Sequence, residues 1–204
     1  LALFDETHRP EAFKQLSGRN FLRQHQYLKD ITTLVMTELT QVKLTTEIIT
    51  TVNAHLTSGL CDKPGAFRQE PVYIQGSSHQ PPLARDIGSL IGDLCVFIKE
   101  HWNDYNAYDL AAYALWRLTW IHPFEDGNGR TANSIAYYIL CRKFGFWLPG
   151  EATIPSYWRE SNDERYYQAL SAADTLGADN PASVAALSDL LKRALMNQLK
   201  SADL

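Results

Sequence analysis

The stretch His122-Pro123-Phe124-Glu125-Asp126-Gly127-Asn128-Gly129-Arg130 decides how this chain is read. Its nine residues hold a candidate general base, a carboxylate, two glycines bracketing an amide, and an arginine. Apolar helical sequence flanks it, from Leu110 to Ile121 upstream and from Thr131 to Cys141 downstream. A polar, glycine-rich loop between two helices that are apolar on most faces is held in the middle of the protein. Burying it is costly unless its polar groups find partners, and a bound ligand supplies them.

Proline at 123 restricts His122 away from helical geometry, so the upstream helix ends there. Gly127-Asn128-Gly129 stands just before the next helix, where free backbone N–H groups make an anion site. The glycines permit backbone angles that other residues resist. Arg130 adds a bidentate donor for phosphate oxygens. Asp126 conflicts with a bare phosphate site, because a carboxylate repels phosphates. A divalent cation between them removes the conflict, since Mg²⁺ is usually held by one or two carboxylates plus substrate phosphates. Asp126 is therefore the expected metal ligand, and the substrate an expected polyphosphate such as a nucleotide. His122, at the mouth of the loop, suits a general base near neutral pH. Together these groups read as phosphoryl or nucleotidyl transfer to a hydroxyl. Singly, each has a plainer reading: a capping histidine, or a Gly-Asn-Gly turn. A calcium loop is ruled against because its spaced oxygen ligands are missing.

The 204 residues fit one domain, or one with a small extension, and 45% hydrophobic content is enough for a sizeable core. A net charge of −4 implies no broad basic surface, so no nucleic-acid partner is expected. Cys61, Cys95 and Cys141 show no metal spacing and read as structural thiols of a reducing compartment. No signal peptide and no membrane-spanning apolar run are seen, so the expected location is cytoplasmic, with delivery into another cell left open. The chain starts at Leu1 rather than Met, which leaves room for preceding sequence.

Helices are expected from Phe21 to about Leu39, from Thr46 to Ser58, from Leu83, from Asp109 to the loop, and from about Arg130 to Gly145. Two more follow, one opened by Ser161-Asn162-Asp163-Glu164 and closed by Gly177, the last opened by Asn180-Pro181. Between Asp62 and Pro82 no helical period survives. There Glu70 to Gln75 reads as a short strand and Gly76-Ser77-Ser78 as a turn, a small hairpin. The sum is an all-α domain of seven to eight helices with one hairpin.

At the central loop the chain resembles the Fic family (Fic/Doc, Fido) of protein nucleotidyltransferases. That family's signature is His-x-Phe-x-Asp/Glu-Gly-Asn-Gly-Arg-x-x-Arg, matched from His122 to Arg130 at every fixed position. Gly65-Ala-Phe-Arg68, Val72 to Gln75 and Pro81-Pro82 resemble the family's flap, a hairpin that pairs with the target segment. Glu164 to Leu170 resembles the helix that contacts the nucleotide base. The resemblance implies a Fic-type helical core over 61–204, with the flap at about 65–80 and the motif loop at 122–130. Residues 1–60 would be N-terminal helices packed on that core.

The activity implied is protein adenylyltransfer (AMPylation): His122 deprotonates a Ser, Thr or Tyr hydroxyl, which attacks the α-phosphate of ATP. By the same resemblance Asp126 holds Mg²⁺, Gly127, Asn128 and Gly129 cradle the phosphates, and Arg130 neutralises their charge as a second catalytic residue. Phe124 anchors the loop, and Glu125 faces solvent. Ile74 and Gln75 line the flap side of the nucleotide site, and Tyr166 or Tyr167 touches the base. Val72 to Gln75 offers backbone hydrogen bonds to a target protein. Homo-oligomerisation is left open.

Three departures qualify the likeness. The motif's second arginine is Asn133, on the same helix face as Arg130, which implies a weaker hold on a triphosphate or another donor. Asp174 stands where the family's adenine-reading asparagine is expected; a carboxylate only accepts, which suits the adjacent donors of guanine. GMP or UMP transfer, phosphate transfer, removal of AMP, or a non-catalytic nucleotide-binding module are the alternatives. Lastly, the family's inhibitory Ser/Thr-x-x-x-Glu-Gly/Asn is matched only in part, at Thr7 to Glu11 and at Ser156 to Glu160. No inhibition of that kind is expected within the chain.

Overall fold

A computed structural model describes residues 11–37, 43–74, 77, 79–150, 164–177, 181–200 and 202. Among them run seven α-helices: α1 (Glu11–Thr37), α2 (Thr46–Thr57), α3 (Ile87–Glu100), α4 (Ala107–Ile121), α5 (Asn128–Phe144), α6 (Glu164–Leu176) and α7 (Ala185–Lys200). Short 3-10 turns at Ala84–Asp86 and Pro181–Val184 lead into α3 and α7.

The pair α4 and α5 forms the centre, packed along each other on either side of the motif loop. Leu110, Ala111, Ala112, Ala114 and Leu115 of α4 are fully buried, as are Ala132, Ile135, Ala136, Tyr138 and Ile139 of α5. Helices apolar on nearly every face need neighbours on every face. For α4 these are α3 and α7; for α5 they are α1 and α2. The apolar stripes of α2 (Ile49, Val52, Leu56), α3 (Ile87, Ile91, Leu94, Ile98) and α7 (Leu187, Leu191, Leu195) all join this core. Cys141 lies inside it, where burial pushes its thiol up to about 12, and half-buried Cys95 is pushed up to about 11 by the same cause. Both behave as structural thiols.

Capping explains where the helix ends differ from expectation. Asn106 accepts from the N–H groups of Tyr108 and Asp109, at 3.0 Å each, so α4 opens at Ala107, ahead of Asp109. On α1, Asn20 donates to the carbonyls of Leu56 and Ser58 at 3.2 and 2.7 Å, satisfying the C-terminus of α2. Asn20 lies within α1, which starts at Glu11, ahead of the expected Phe21.

The expected hairpin takes a different form. No strand ladder occurs among the described residues of 65–80, of which Gln75, Gly76 and Ser78 are not part. The Ser77 N–H closes a turn onto the Ile74 carbonyl at 3.2 Å. The incoming and outgoing limbs are joined by a side chain: Arg68 donates to the carbonyls of Glu70 (3.1 Å) and Pro82 (2.6 Å). Thr7, Ser156 and Glu160, from the partial inhibitory matches, lie outside the described residues. No described helix is long and apolar enough to cross a membrane.

Candidate active site

Helix α4 ends at Ile121, and His122 turns the chain with φ 50° and ψ 58°, the one non-glycine residue at positive φ among those described. Such a conformation costs on the order of 1–3 kcal/mol and persists only when its surroundings enforce it. Three contacts do so. The His122 N–H donates to Leu118 at 3.1 Å, its carbonyl accepts from Arg68 Nε at 2.8 Å, and Pro123 accepts from the Arg68 N–H at 2.9 Å. The ring is fixed as well, because Nδ1 lies 3.2 Å from the Thr119 carbonyl. A carbonyl only accepts, so Nδ1 carries the hydrogen and Nε2 keeps a free lone pair. Burial pushes this imidazole down to about 4; the Thr119 hydrogen bond opposes the shift, and the charges of Arg68 and His79 add to it. The His122 imidazole is thus neutral throughout the neutral range.

The rest of the loop is built around Phe124 and Asn128. Phe124 is buried against Phe67, with ring centroids 5.7 Å apart. The Asn128 side chain accepts from the Phe124 N–H and donates to the Phe124 carbonyl, both at 2.8 Å. Of Asn128, therefore, only the backbone is available to an anion. The first N–H groups of α5, from Asn128, Gly129 and Arg130, have no intrahelical acceptor, and Gly129 is exposed. Asp126 accepts from the Gly127 N–H at 2.6 Å and from Arg130, whose Nη2 lies 2.9 Å from both carboxylate oxygens. Glu125 is exposed, as expected. No cluster of three metal-binding side chains occurs among the described residues. A Mg²⁺ ion held by one carboxylate and substrate phosphates needs no such cluster, and the partly exposed Asp126 beside free N–H groups fits that role.

Two residues that hold the loop carried no functional reading in the sequence. Asn53 of α2 is buried and donates to the Asp126 carbonyl (2.9 Å) and to Thr131 Oγ1 (3.1 Å), while accepting from the Gly65 N–H (3.0 Å). Thus α2, grouped by sequence with the N-terminal helices, sets the loop's far end. Arg68 sets its near end. Only their partners, distant in sequence, reveal them; Arg68 stood out solely as part of the flap match.

The remaining candidates divide. Tyr166 of α6 reaches the centre: side chains of Thr119 and Asn133 hydrogen-bond to its phenol, although burial, the larger effect, drives its pKa far up. Asn133 Oδ1 is buried with no partner among the described residues. Tyr167 packs edge-on against Tyr166 but is 59% exposed. Asp174 accepts from Trp116 Nε1 at 2.7 Å, tying α6 to α4. On the flap, Val72 and Ile74 are half-buried and Tyr73 is 91% exposed, while Gln75 lies outside the described residues. His79 bonds to the Trp120 carbonyl at 2.8 Å, its ring tilted against the indole with centroids 5.4 Å apart.

Comparison with known proteins bears on this arrangement. The profile of the Fic/DOC family matches residues 43–140, which takes in α2, the flap segment, the motif loop and most of α5. The protein adenylyltransferase Fic of Drosophila persimilis is 38% identical over 79 residues, covering 38% of this chain and 15% of that protein. Its counterpart in Drosophila mojavensis is 37% identical over 86 residues. The chain thus spans under a fifth of the length of these relatives. In fold, a Fic domain containing signaling protein from Bacteroides thetaiotaomicron superposes with a TM-score of 0.68 at 18% identity, over 89% of this chain and 70% of that one. Fic-1 from C. elegans gives 0.69 at 19% identity, over 98% and 55%. With the loop, the helical pair around it and these likenesses together, the chain contains a Fic/DOC family domain, over residues 43–140.

Proposed function

We propose that the protein is an adenylyltransferase that moves AMP from ATP to a Ser, Thr or Tyr hydroxyl of a target protein. The observation that carries this is the His122 ring, with Nδ1 spent on Thr119 and Nε2 free, at the mouth of a loop ending in free N–H groups and Arg130. In this reading Nε2 takes the hydroxyl proton as the oxygen bonds to the α-phosphorus. The bond from that phosphorus to the bridging oxygen breaks, and pyrophosphate leaves. The N–H groups of Asn128, Gly129 and Arg130 face the phosphates, and the Arg130 guanidinium offsets their growing charge. Mg²⁺, held by Asp126, supplies further charge neutralisation when bound. Tyr166 closes the site from α6. The flap segment Val72 to Gln75 receives the target, its described backbone lacking ladder partners of its own.

A second reading concerns the donor. Asn133 cannot neutralise phosphate as guanidinium does, and Asp174 has one oxygen on Trp116 and the other without a partner among the described residues. The first weakens the hold on any nucleoside triphosphate, and the second suits guanine, so GTP is the first alternative donor to try. Incubation with α-labelled and γ-labelled ATP, GTP, UTP and CTP, Mg²⁺ and lysate, comparing wild type with His122→Ala, tests both readings. Protein label from the α position, lost in the variant, is expected. Label from γ alone would establish phosphate transfer instead, and no label from any nucleotide would leave a binding module.

A further inference from the structure

We propose that Arg68 is a positioning residue that couples the target-docking flap to His122, one guanidinium fixing the histidine's backbone and both limbs of the flap at once. The proposal rests on the adenylyl-transfer reading above. Arg68 is 1% exposed, as buried as the core leucines Leu28 and Leu56. A buried guanidinium is costly unless every direction of its fork is answered. Here the answers are all backbone carbonyls. Nε donates to His122 at 2.8 Å, Nη1 to Glu70 at 3.1 Å, and Nη2 to Pro82 at 2.6 Å, with Ile121 at 3.5 Å. No carboxylate pairs with it among the described residues. Negative charge comes instead from the C-terminal carbonyls of α4, where the helix dipole favours a cation.

This set of partners is not what a simple helix cap needs. The Ile121 and His122 carbonyls belong to the catalytic turn, Glu70 to the limb entering the flap, and Pro82 to the limb leaving it. The residue's own N–H pins the next carbonyl, Pro123, at 2.9 Å. Two consecutive carbonyls around the strained His122 are therefore held by Arg68, while the flap has no strand ladder among its described residues and His79, on the Trp120 carbonyl, ties only the outgoing limb. A shift of either limb acts on the guanidinium, and through it on the peptide that aims the imidazole. The anion end of the loop is tied by a different residue, Asn53. Loss of the clamp should therefore affect the chemical step and leave nucleotide binding alone. Lysine cannot replace it, because a point charge does not span three directions as the fork does.

The test compares wild type, Arg68→Lys and Pro82→Gly; the second variant loosens the outgoing limb at a half-buried position and leaves the guanidinium in place. Circular dichroism checks folding, calorimetry gives Mg²⁺-ATP affinity, and initial rates give kcat and KM. Histidine-selective NMR of the protein without nucleotide reports the His122 ring. Expected for Arg68→Lys is a fall in kcat on the order of ten- to a hundredfold, with ATP affinity unchanged and the His122 resonance moved. Pro82→Gly should move the same resonance with a smaller loss of kcat. An unmoved His122 resonance in both variants overturns the proposal, as does a kcat loss matched by an equal loss of ATP affinity. If wild type transfers nothing, the functional reading fails by itself. The resonance then decides the coupling, and it also decides through Pro82→Gly if Arg68→Lys does not fold.

Discussion

Arg130 donates to both carboxylate oxygens of Asp126, at 2.9 Å each, from one helical turn further along. The expected phosphate ligand and the expected metal ligand thus neutralise each other when nothing is bound. Both side chains are partly exposed, at 22% and 33%, and such pairs contribute no more than about 1 kcal/mol. On the proposed reading, a bound metal–nucleotide complex would compete for this pair, with Asp126 holding the cation and Arg130 facing phosphate. Arg130→Ala should lower the melting temperature by no more than about 4 °C, yet reduce transfer by roughly 10²- to 10³-fold. Thermal melts beside initial rates check this. A large stability loss with rates to match would mean that the arginine is chiefly structural.

The depressed His122 pKa gives a pH signature with a definite sign. Burial, then the Arg68 and His79 charges, hold the imidazole near about 4 against the Thr119 hydrogen bond. An unfolded histidine titrates near about 6.5. Between those values the unfolded chain binds the extra proton, so this contribution is fully present above pH ~6.5 and is lost as pH falls toward 4. Its upper bound is about 3 kcal/mol. Urea unfolding of wild type and His122→Asn at pH 7.5 and 4.5 reads it as a difference, since asparagine tolerates the left-handed backbone. Wild type should lose more stability between the two pH values than the variant. For catalysis, the acid limb of the rate profile should lie below pH 5; a limb at 6.5 would contradict the buried, neutral base.

What sequence alone could reveal follows from where partners sit. Helices α2, α5 and α7 were legible because their apolar residues repeat within a few positions. The candidate site was legible because His122 to Arg130 packs its chemistry into one short run. Asn53 was not, since it bonds to Asp126 and Thr131, 73 and 78 residues away, and nothing local sets it apart from other polar residues of α2. The link from Trp116 to Asp174 spans 58 residues and was hidden in the same way. The flap was only partly legible for a related reason: Val72-Tyr73-Ile74 has strand composition, but among the described residues it has no ladder partner, and a buried arginine joins the limbs.

The two loop glycines have separable roles. Gly127 has φ +79°, and a Cβ there would lie 2.8 Å from Thr57 Cγ2 and 2.9 Å from Asn53 Nδ2. Alanine must then adopt a left-handed backbone and push α2 away from the loop. Gly127→Ala should destabilise the protein by roughly 2–3 kcal/mol. At Gly129 the backbone is not left-handed, and a Cβ would meet nothing within 4 Å. Gly129→Ala should therefore melt like wild type while binding Mg²⁺-ATP more weakly, because a methyl group stands where phosphate approaches the helix N-terminus. Differential scanning fluorimetry and calorimetry on both variants separate the roles. Unchanged affinity in Gly129→Ala would place the phosphates elsewhere.

Asp174 carries a structural duty that any use as a base reader would have to share. Trp116 is 2% exposed, and its indole N–H has Asp174 Oδ1 at 2.7 Å. Asp174→Ala leaves that donor unpaired and should cost about 1–3 kcal/mol. Asp174→Asn keeps an acceptor oxygen and should cost far less, so the pair of variants isolates the hydrogen bond. The same pair tests donor choice. A carboxylate oxygen suits the adjacent N1 and N2 donors of guanine, whereas an amide can both donate and accept, as the adenine edge requires. If the free oxygen reads the base, Asp174→Asn should move the ratio of GTP to ATP turnover toward ATP by about tenfold, the order expected when a donor–acceptor match to the base edge is lost or gained. Competition between the two labelled nucleotides in a single reaction measures the ratio directly. A ratio that stays fixed, with stability following the indole hydrogen bond, would confine Asp174 to holding α6 against α4.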